Sequence, residues 1–396
     1  MTDVSTSHVS RAEARGVTVS LKQLLHRVLE FVLRASGVLR RSRGDTLKVL
    51  VSGYTGLGHF VVKTALIKQV EEVFPGCTVT IIAGNSFGTE HVLTGYDTLI
   101  LKQHAPALRK VAFFWRLRRQ RFDAVFLPCD ASPRFLIWGA ILADIPSRVG
   151  HIFDGLRLPA YYYTHQVPVR HGGPRSEIDL NLDLLEAYLG RPFTRRYRPV
   201  ADAHAGLAPL ERFGLRPGEY VCVQIGAANG QPAPKRWLEP YFRQLIERLL
   251  DTHPGFTIVP IGDAGDAAIS KRVCDGLSHE RLVDTTGRAD LVDAKALIAH
   301  CRLLICHDSG LMHLGNALGC QVLALYGPSD PDEYAVRLPT FHVLREPCDC
   351  TPLLGLFPGR YEPTEAEVLA KCPVPKCMER LSVDRVYETC VDLLQA

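Results

Sequence analysis

LLICHDSGLMHLGNALGCQVLALYGPSDP, residues 303–331, is the stretch that decides the fold. It begins with an apolar run, turns polar at His307-Asp308-Ser309-Gly310, and continues into a helical pattern that ends at Gly319. A second apolar run over 321–326 follows and is closed by Gly327-Pro328. A strand, a helix and a strand in this order predict a βαβ unit with both strands parallel in one sheet.

The same alternation of strands and helices runs through most of the chain. The first half has predicted strands at 47–52, 78–83 and 123–128 and predicted helices at 60–74, 107–120 and 132–143. The alternation restarts at Tyr220 and continues to Gly327. We therefore expect an α/β protein with two Rossmann-like, doubly wound domains that face each other across a cleft. Residues 160–200, which include a short leucine-rich helix, are interpreted as a connector between these domains.

Length and composition exclude several classes of protein. A chain of 396 residues suggests two or three domains, and 46% hydrophobic with 22% charged residues is typical of a folded globular protein. No stretch approaches 18 uncharged apolar residues, so we do not expect an integral membrane protein. The formal net charge of +4 is too balanced to indicate nucleic acid as a partner.

Residues 1–45 precede the first predicted strand. Residues 1–19 are polar and predicted to be disordered, whereas residues 20–40 carry leucines and valines at helical spacing among lysines and arginines. Such a basic amphipathic helix either lies on an anionic membrane surface or packs on the domain that follows. No small-residue cleavage site follows a clean apolar core, so the segment is not a secretory signal.

A glycine-rich loop joins the first predicted strand to its helix. Gly53, Gly56 and Gly58 fit neither the dinucleotide spacing nor the P-loop pattern, which disfavours an NAD-linked oxidoreductase. His59 follows directly and falls in the first helical turn, facing the cleft. An imidazole there could take a proton near neutral pH, or it could be a surface or capping residue.

Asp308-Ser309-Gly310 lies at the matching position of the second half, between a buried strand and a helix. The free N–H groups from Ser309 to Leu311, together with the helix dipole, could hold a diphosphate, and an adjacent carboxylate could bind sugar hydroxyls. A simple helix cap is the structural alternative. His313 either shares that helix face or is a buried core histidine.

Further candidates follow other strands of the second half. Lys235 lies in the loop after the strand near 221–225, where it could neutralise a leaving phosphate. Asp263 and Asp266 follow the strand at 256–261, where either could bind a ribose diol or cap a helix. No Asp-x-Asp follows an apolar strand, so we infer no catalytic cation.

From Cys306 to Pro331 the sequence resembles glycosyltransferase family 9, the bacterial heptosyltransferases of lipopolysaccharide core synthesis. The family pattern is similar to N-D-[ST]-G-P-M-H-L-A-A-A-L-G, then a strand, then [FY]-G-[PS]-[ST]-D-P. Pro146-Ser-Arg148-Val-Gly150, Lys235-x-Trp237 and Cys377-Met378 also fit. The resemblance covers about residues 46–395. It implies a GT-B fold, with the acceptor in the N-terminal domain and the donor in the C-terminal one.

The resemblance implies an inverting transfer of a heptose from ADP-heptose to a hydroxyl of the lipid A–Kdo core, with no cofactor required for catalysis. It also implies roles by position: Lys235 would contact phosphate, Ser309 and Gly310 would offer backbone donors, Asp308 would hold the donor sugar, Asp266 the ribose, and His313 would support the helix. Gly56, Gly58 and His59 would form the loop on the acceptor side. The helix near 382–394 would cross back to the first domain.

One position departs from the family pattern. The family loop usually carries Asp or Glu as the presumed general base, and this sequence has His59 there. We hypothesise that His59 is the base, because the usual pKa of imidazole suits proton transfer near neutral pH. A changed acceptor or lost activity stays open, the latter leaving a catalytically silent sugar-nucleotide-binding or assembly protein. The loop 226–234 lacks the usual threonines, so another sugar donor, or a protein acceptor, also stays open.

The twelve cysteines divide into two groups. Seven lie singly within the first 320 residues, most of them in apolar runs, as expected of buried thiols in a reducing cytoplasm. Five lie near the C-terminus: Cys348, Cys350, Cys372 and Cys377 bracket a Gly/Pro-containing excursion, and Cys390 lies beyond it. The first four could bind a structural zinc or iron, form a disulfide or stay unlinked.

The expected organisation has four parts. Residues 1–45 form the disordered start and the basic helix, which is a possible membrane-surface contact, and residues 46–200 form the acceptor domain with its connector. Residues 201–345 form the nucleotide-sugar domain, and residues 346–396 contain the cysteine segment and the last helix. The expected partners are a nucleotide-sugar donor and a lipid-linked or glycan acceptor. We expect a cytoplasmic protein, with possible peripheral contact at the inner face of the membrane.

Overall fold

Two parallel β-sheets organise the protein in the computed structural model. The structure describes residues 46–85, 92–128, 134–153, 162–169, 176–202, 206–226, 234–277, 279–336, 338–346, 348, 370, 372 and 376–395. The helix expected at 20–40 lies outside these residues, as do most of the loop 226–234 and Cys350. Among the described residues, no helix combines the length and apolarity needed to cross a membrane.

The first sheet has six parallel strands in the order β3-β2-β1-β4-β5-β6. The strands are β1 Lys48–Ser52, β2 Thr78–Ala83, β3 Asp97–Ile100, β4 Ala124–Leu127, β5 Ser147–Phe153 and β6 His165–Val169. The helices are α1 Leu57–Val73, α2 Ala107–Leu117, α3 Arg134–Leu142 and α4 Glu177–Leu189. This strand order is that of a dinucleotide-type Rossmann sheet. The order in which strands are added reverses between β1 and β4, although all the strands are parallel.

The second sheet has five parallel strands in the order β11-β10-β9-β7-β8. The strands are β7 Tyr220–Gln224, β8 Thr257–Ile261, β9 Leu303–His307, β10 Val322–Tyr326 and β11 Phe341–Arg345. The helices are α5 Ala208–Arg212, α6 Glu239–Thr252, α7 Ala267–Cys274, α8 Leu291–His300, α9 Gly310–Leu318, α10 Pro331–Tyr334, α11 Lys376–Arg380 and α12 Val383–Gln395. The order in which strands are added reverses between β7 and β9. Both sheets are therefore doubly wound, as expected.

The two sheets share one apolar core. Buried side chains of β1 and α1 pack in the same cluster as those of α9 and β9, because α1 and α9 lie against each other. The central strands β7, β9 and β10 are buried along their whole length, as expected of parallel strands covered on both faces. The helix pair α1–α9 therefore joins the two halves.

Three strands of the first sheet, β3, β5 and β6, were not expected. β3 is a four-residue edge strand with partly exposed side chains, and so gives a weak apolar signal. β6 contains Pro168, which has no N–H to donate and is tolerated at the sheet edge. The interpretation of residues 160–200 as a connector is corrected: β6 extends the sheet and α4 packs on α1.

The C-terminal helix also differs from the expectation. α12 lies where a helix was expected, but it packs on α6 and β9 of the second sheet and does not cross to the first. Its buried residues, such as Val386 and Cys390, belong to the core of the second sheet. Arg248 of α6 pairs with Asp384 at 2.5 Å and lies 3.8 Å from the centre of the Tyr387 ring. The helix therefore completes the second half.

Candidate active site

The glycine loop after β1 opens α1 without a side-chain cap. Gly56 is the N-cap residue in an extended conformation, and no side chain bonds to the first-turn amides. His59 is the third residue of α1, in the first turn as predicted. β1 borders the point where the order of the first sheet reverses, which is where ligands bind in open α/β sheets.

The loop after β9 opens α9 in the same way. Ser309 is the N-cap residue, with extended backbone angles and no side-chain cap; its hydroxyl instead donates to Gln224 Oε1 at 2.6 Å. The first amides of a helix have no partner within it, so those of α9 carry the positive end of its dipole. Gly319 ends the helix in the left-handed conformation (φ 78°), as predicted.

The first turns of α1 and α9 are in contact. A β-carbon at Gly58 would lie 2.8 Å from His313 Cδ2 and 3.4 Å from the Gly310 α-carbon. A β-carbon at Gly310 would lie 3.0 Å from Leu57 Cβ. Glycine at both positions therefore permits the close approach that brings the loop of the first sheet and the loop of the second into one site.

His59 is held by a buried carboxylate. Its Nδ1 lies 2.8 Å from Glu177 Oε2, and the side chains of His59 and Glu177 are 34% and 2% exposed. Burial alone would raise the pKa of Glu177, but the interaction with His59 outweighs it and holds that pKa below its usual value. The carboxylate is therefore ionised, and it fixes Nδ1 of the imidazole.

Lys235 and Asp308 form the second charged pair. Lys235 Nζ lies 2.7 Å from Asp308 Oδ2 and 5.5 Å from the centre of the Tyr334 ring. Burial would raise the pKa of Asp308, but Lys235 outweighs it, and the pKa lies below its usual range. The His59 ring centre lies 6.4 Å from that of Tyr334, so Tyr334 contacts both pairs.

His313 links the two charged pairs. It is buried, and burial lowers its pKa below the usual value, although Asp308 and Glu177 both oppose this. The ring is therefore neutral at pH 7. His59, Glu177, His313, Asp308 and Lys235 thus form one electrostatic cluster, to which each sheet contributes.

His307 has a supporting position beneath this cluster. Its Nε2 accepts from the Trp237 N–H at 2.9 Å, and its Nδ1 lies 3.2 Å from the Gly226 carbonyl. Burial lowers its pKa to about 4, so the ring is neutral near pH 7. These two bonds fix both ends of the loop that carries Lys235.

Asp266 lies apart from the charged pairs, at the N-cap of α7. It is buried against Gly226, where a β-carbon would come 1.8 Å from its carboxyl carbon. Among the described residues its Oδ1 has no hydrogen-bond partner, and burial, then Asp263, raises its pKa. It lies beside β7 and β8 at the same sheet edge as Lys235, so its ribose role stays a prediction.

The predicted metal ligands do not form a site among the described residues. No group of three or more His, Cys, Asp or Glu there is arranged to hold a metal ion, and Cys348, Cys372 and Cys377 form no disulfide among the described residues. Burial, then Cys348 and Cys372, raises the pKa of Cys377 to about 11. The described residues therefore give the zinc or iron prediction no support, and Cys350 lies outside them.

The sequence did not identify Glu177 or Tyr334. Glu177 is the first residue of α4, after the Ser176 cap that accepts from the Asp179 N–H. The Ser-Glu-x-Asp start of a leucine-rich helix was a usable helix signal. Nothing in the sequence indicated that α4 packs on α1, which is what brings Glu177 to His59.

Comparison with known proteins finds a family model and relatives that match this chain. The family model for glycosyltransferase family 9 (heptosyltransferase) matches residues 142–352. Lipooligosaccharide heptosyltransferase 2 of Haemophilus influenzae is 33% identical over 307 residues, which cover 72% of this chain and 84% of that protein. Lipopolysaccharide heptosyltransferase 2 of Escherichia coli is 32% identical over 127 residues, an alignment that spans only 36% of that protein.

A solved structure has the same fold. The structure of the Escherichia coli ADP-heptose lipopolysaccharide heptosyltransferase II superposes with a TM-score of 0.69. The match covers 88% of this chain and 99% of that chain at 19% sequence identity. The GT-B-like arrangement of two facing Rossmann-like domains is therefore confirmed.

Proposed function

The chain belongs to glycosyltransferase family 9, the heptosyltransferases, and from this premise we propose the reaction that its site performs. The reaction is an inverting transfer of a heptose from ADP-heptose to a hydroxyl group of a lipopolysaccharide core acceptor. The observation that carries the proposal is the meeting of two charged pairs, His59–Glu177 and Lys235–Asp308, where α1 contacts α9. One pair suits proton removal, and the other suits a leaving diphosphate.

His59 is the general base of the proposed reaction. Its Nε2 takes the proton of the acceptor hydroxyl as that oxygen bonds to the anomeric carbon of the donor. Glu177 holds Nδ1 and stabilises the imidazolium that forms, which is how a buried carboxylate assists a histidine base. Glu177 touches no substrate and is a positioning residue.

Lys235 and the first turn of α9 act on the leaving group. The bond between the anomeric carbon and the diphosphate oxygen breaks, and ADP leaves with its electron pair. The Lys235 ammonium and the amides at the start of α9, where Ser309 and Gly310 lie, stabilise the charge that develops on the phosphate. The products are the glycoside, ADP and one proton, so no cofactor enters the balance.

The remaining roles follow the two halves of the molecule. We assign the acceptor to the first sheet and the donor to the second, with Gly56 and Gly58 shaping the acceptor loop. Asp308 holds the donor sugar and orients Lys235, Asp266 holds the ribose, and His313 supports α9 as a neutral imidazole. The buried Asp266 carboxylate with an unpartnered oxygen supports a nearby polar ligand.

Location and partners complete the proposal. A lipid-linked core acceptor places the enzyme at the cytoplasmic face of the inner membrane. The basic segment 20–40 is one candidate for membrane contact. We add no structural metal, because the described cysteines do not fit one.

The alternative is a silent nucleotide-sugar-binding protein of the same fold. It rests on the replacement of the usual acidic base by His59. The partnership of His59 with an ionised buried carboxylate favours the active enzyme, because that arrangement produces a basic imidazole.

Turnover of His59→Ala tests the proposal. ADP release from ADP-heptose is measured with a lipid A–Kdo core acceptor. We expect kcat/KM to fall about 100-fold or more, because a positioned base contributes roughly that factor. His300→Ala is the matched control, since His300 precedes β9 and lies at the opposite edge of the sheet from Asp308.

Two outcomes would contradict this assignment. Near-wild-type turnover of His59→Ala would remove His59 from the mechanism. ADP-heptose binding by the wild-type protein without ADP release, across core acceptors, would establish the silent alternative.

A further inference from the structure

Helix α2 exposes apolar side chains to solvent. Leu108, Val111 and Trp115 are 84%, 52% and 54% exposed, whereas Phe114 and Leu117 on the opposite face are buried. Positions 108, 111 and 115 follow the i, i+3, i+7 spacing that places residues on one face of a helix. Nothing among the described residues covers this face, so α2 presents an apolar ridge that folding of the described chain does not use.

Positively charged residues surround the ridge. From Thr98 to Phe122 the chain has no aspartate or glutamate, but it has seven cationic residues: Lys102, Arg109, Lys110, Arg116, Arg118, Arg119 and Arg121. Arg109, Arg116, Arg119 and Arg121 are exposed. The Arg118 guanidinium lies 5.5 Å from the centre of the Trp115 ring and pairs with Asp144 at 3.8 Å. The ridge is therefore bordered by cations that have few acidic neighbours.

A groove lies beside the ridge. It has a volume of about 690 Å³, and Leu101 and Phe113 contribute apolar walls. Lys102, Arg109 and Arg116 also line it. An apolar floor with a cationic rim complements an amphiphile that has an anionic head group.

The surface begins next to the acceptor loop. The hydroxyl of Tyr54, which lies between Gly53 and Gly56, donates to the Leu101 carbonyl at the start of the groove. The Tyr54 ring also packs edge-on against Phe135 of α3, with 5.7 Å between the ring centres. The loop that leads into α1, the helix of His59, is thus attached to the surface that carries the cations.

We propose that α2 and the preceding segment 100–106 form a surface that docks this protein on an anionic phospholipid bilayer. Leu108, Val111 and Trp115 enter the interfacial layer, and the surrounding arginines contact lipid phosphates. A bilayer is the occupant that the pattern favours. An aromatic residue on an apolar ridge suits the membrane interface, and exposed arginines in a segment without aspartate or glutamate suit a uniformly anionic surface. This surface is distinct from the segment 20–40, and its binding does not require transferase activity.

Vesicle co-sedimentation of the full chain tests the proposal. We expect binding to vesicles of phosphatidylcholine with phosphatidylglycerol and little binding to phosphatidylcholine alone, with no lipopolysaccharide present. Arg116→Ala/Arg119→Ala is expected to weaken partitioning about 25-fold, since each basic residue near an anionic surface contributes roughly fivefold. Leu108→Ser/Trp115→Ser is expected to weaken it at least tenfold, because the apolar contact is lost.

Two control variants show whether a loss of vesicle binding is specific to this surface. Arg216→Ala removes an exposed cation of the second half, and Leu207→Ser removes another exposed apolar residue; both are expected to bind as the wild type does. Vesicles are also expected to shift Trp115 emission to the blue, a change that Trp115→Phe abolishes.

The results that overturn the proposal are specific. Equal vesicle binding by the wild type and both α2 variants would assign membrane contact to another segment. Loss of self-association in Leu108→Ser/Trp115→Ser, without loss of vesicle binding, would make the ridge an interface between copies of this chain. Unchanged ADP release with a water-soluble acceptor is expected throughout, so this test and that of the transferase reaction fail separately.

Discussion

At the scale of single residues, the contact of His59 with Glu177 supports a general base better than the presence of His59 alone. A lone histidine in a first helical turn has several ordinary explanations. A 2.8 Å contact with the ionised, buried carboxylate of Glu177 favours a base, since it orients one nitrogen and stabilises the protonated ring. In the proposed reaction, this imidazole with its buried carboxylate takes the place of the acidic base of the family pattern.

Glu177→Gln is expected to lower kcat about tenfold or more, because the imidazole loses its orienting partner. It is also expected to move the acidic limb of the kcat/KM profile to lower pH. His59 lowers the pKa of Glu177, and the interaction is mutual, so the carboxylate favours protonated His59 by the same free energy. Without that negative charge, the neutral base persists at lower pH. Turnover measured from pH 5 to 9 tests both effects.

Glu186→Gln provides the control for this variant. Glu186 lies on the same helix, α4, and its half-exposed carboxylate contacts Arg195 rather than the site. We expect its pH profile to match that of the wild type. A Glu177→Gln profile with unchanged limbs would show that Glu177 only stabilises the fold.

At the scale of elements, the contact between α1 and α9 decides the geometry of the site. Each helix follows a strand at the point where its sheet reverses direction, and each begins without a side-chain cap. The bare first turns pack directly on each other through Gly58 and Gly310. The helix starts to which we assign ligand binding thus also join the two halves.

Gly58→Ala is expected to disturb this contact, and Gly56→Ala is not. A methyl group at Gly58 would meet the His313 ring at 2.8 Å, whereas nothing lies within 4 Å of one at Gly56. Overpacking of this kind lowers the free energy of unfolding by about 1–3 kcal/mol. Replacing the N-cap glycine at Gly56 lowers it by less than about 1 kcal/mol. Urea unfolding measures both, and we expect kcat/KM to fall at least tenfold only for Gly58→Ala. Equal losses in the two variants would mean that the close approach has no special role.

At the scale of the whole molecule, two doubly wound sheets bring different chemistry to one cleft. The His59–Glu177 pair belongs to the first sheet, and Lys235, Asp308 and the first amides of α9 belong to the second. Neither sheet has both pairs, so the proposed reaction requires that the two halves stay joined. The segment before α2 is bonded to the loop that precedes α1, because the Tyr54 hydroxyl donates to the Leu101 carbonyl.

Thermal unfolding with ligands tests the assignment of the donor. ADP at about 100 times its Kd is expected to stabilise the protein by about 2.7 kcal/mol, and NADH is expected to have no effect. Lys235→Met is expected to reduce the stabilisation by ADP, since the ammonium contacts phosphate in the proposed complex. Stabilisation by NADH instead of ADP would contradict the reading of both helix starts as sugar-nucleotide sites.

The sequence by itself determined the α/β class, the two Rossmann-like halves and the positions of Lys235, Asp308 and His59. Those features depend on local hydrophobic period and on short motifs, which a chain carries without reference to its distant parts. Tertiary structure alone decided that α4 brings Glu177 to His59, that β6 extends the first sheet, and that α12 stays with the second. It also decided that no described residue covers the apolar face of α2. These outcomes depend on which helix faces meet, and an amphipathic pattern marks the buried face of a helix without naming the surface that buries it.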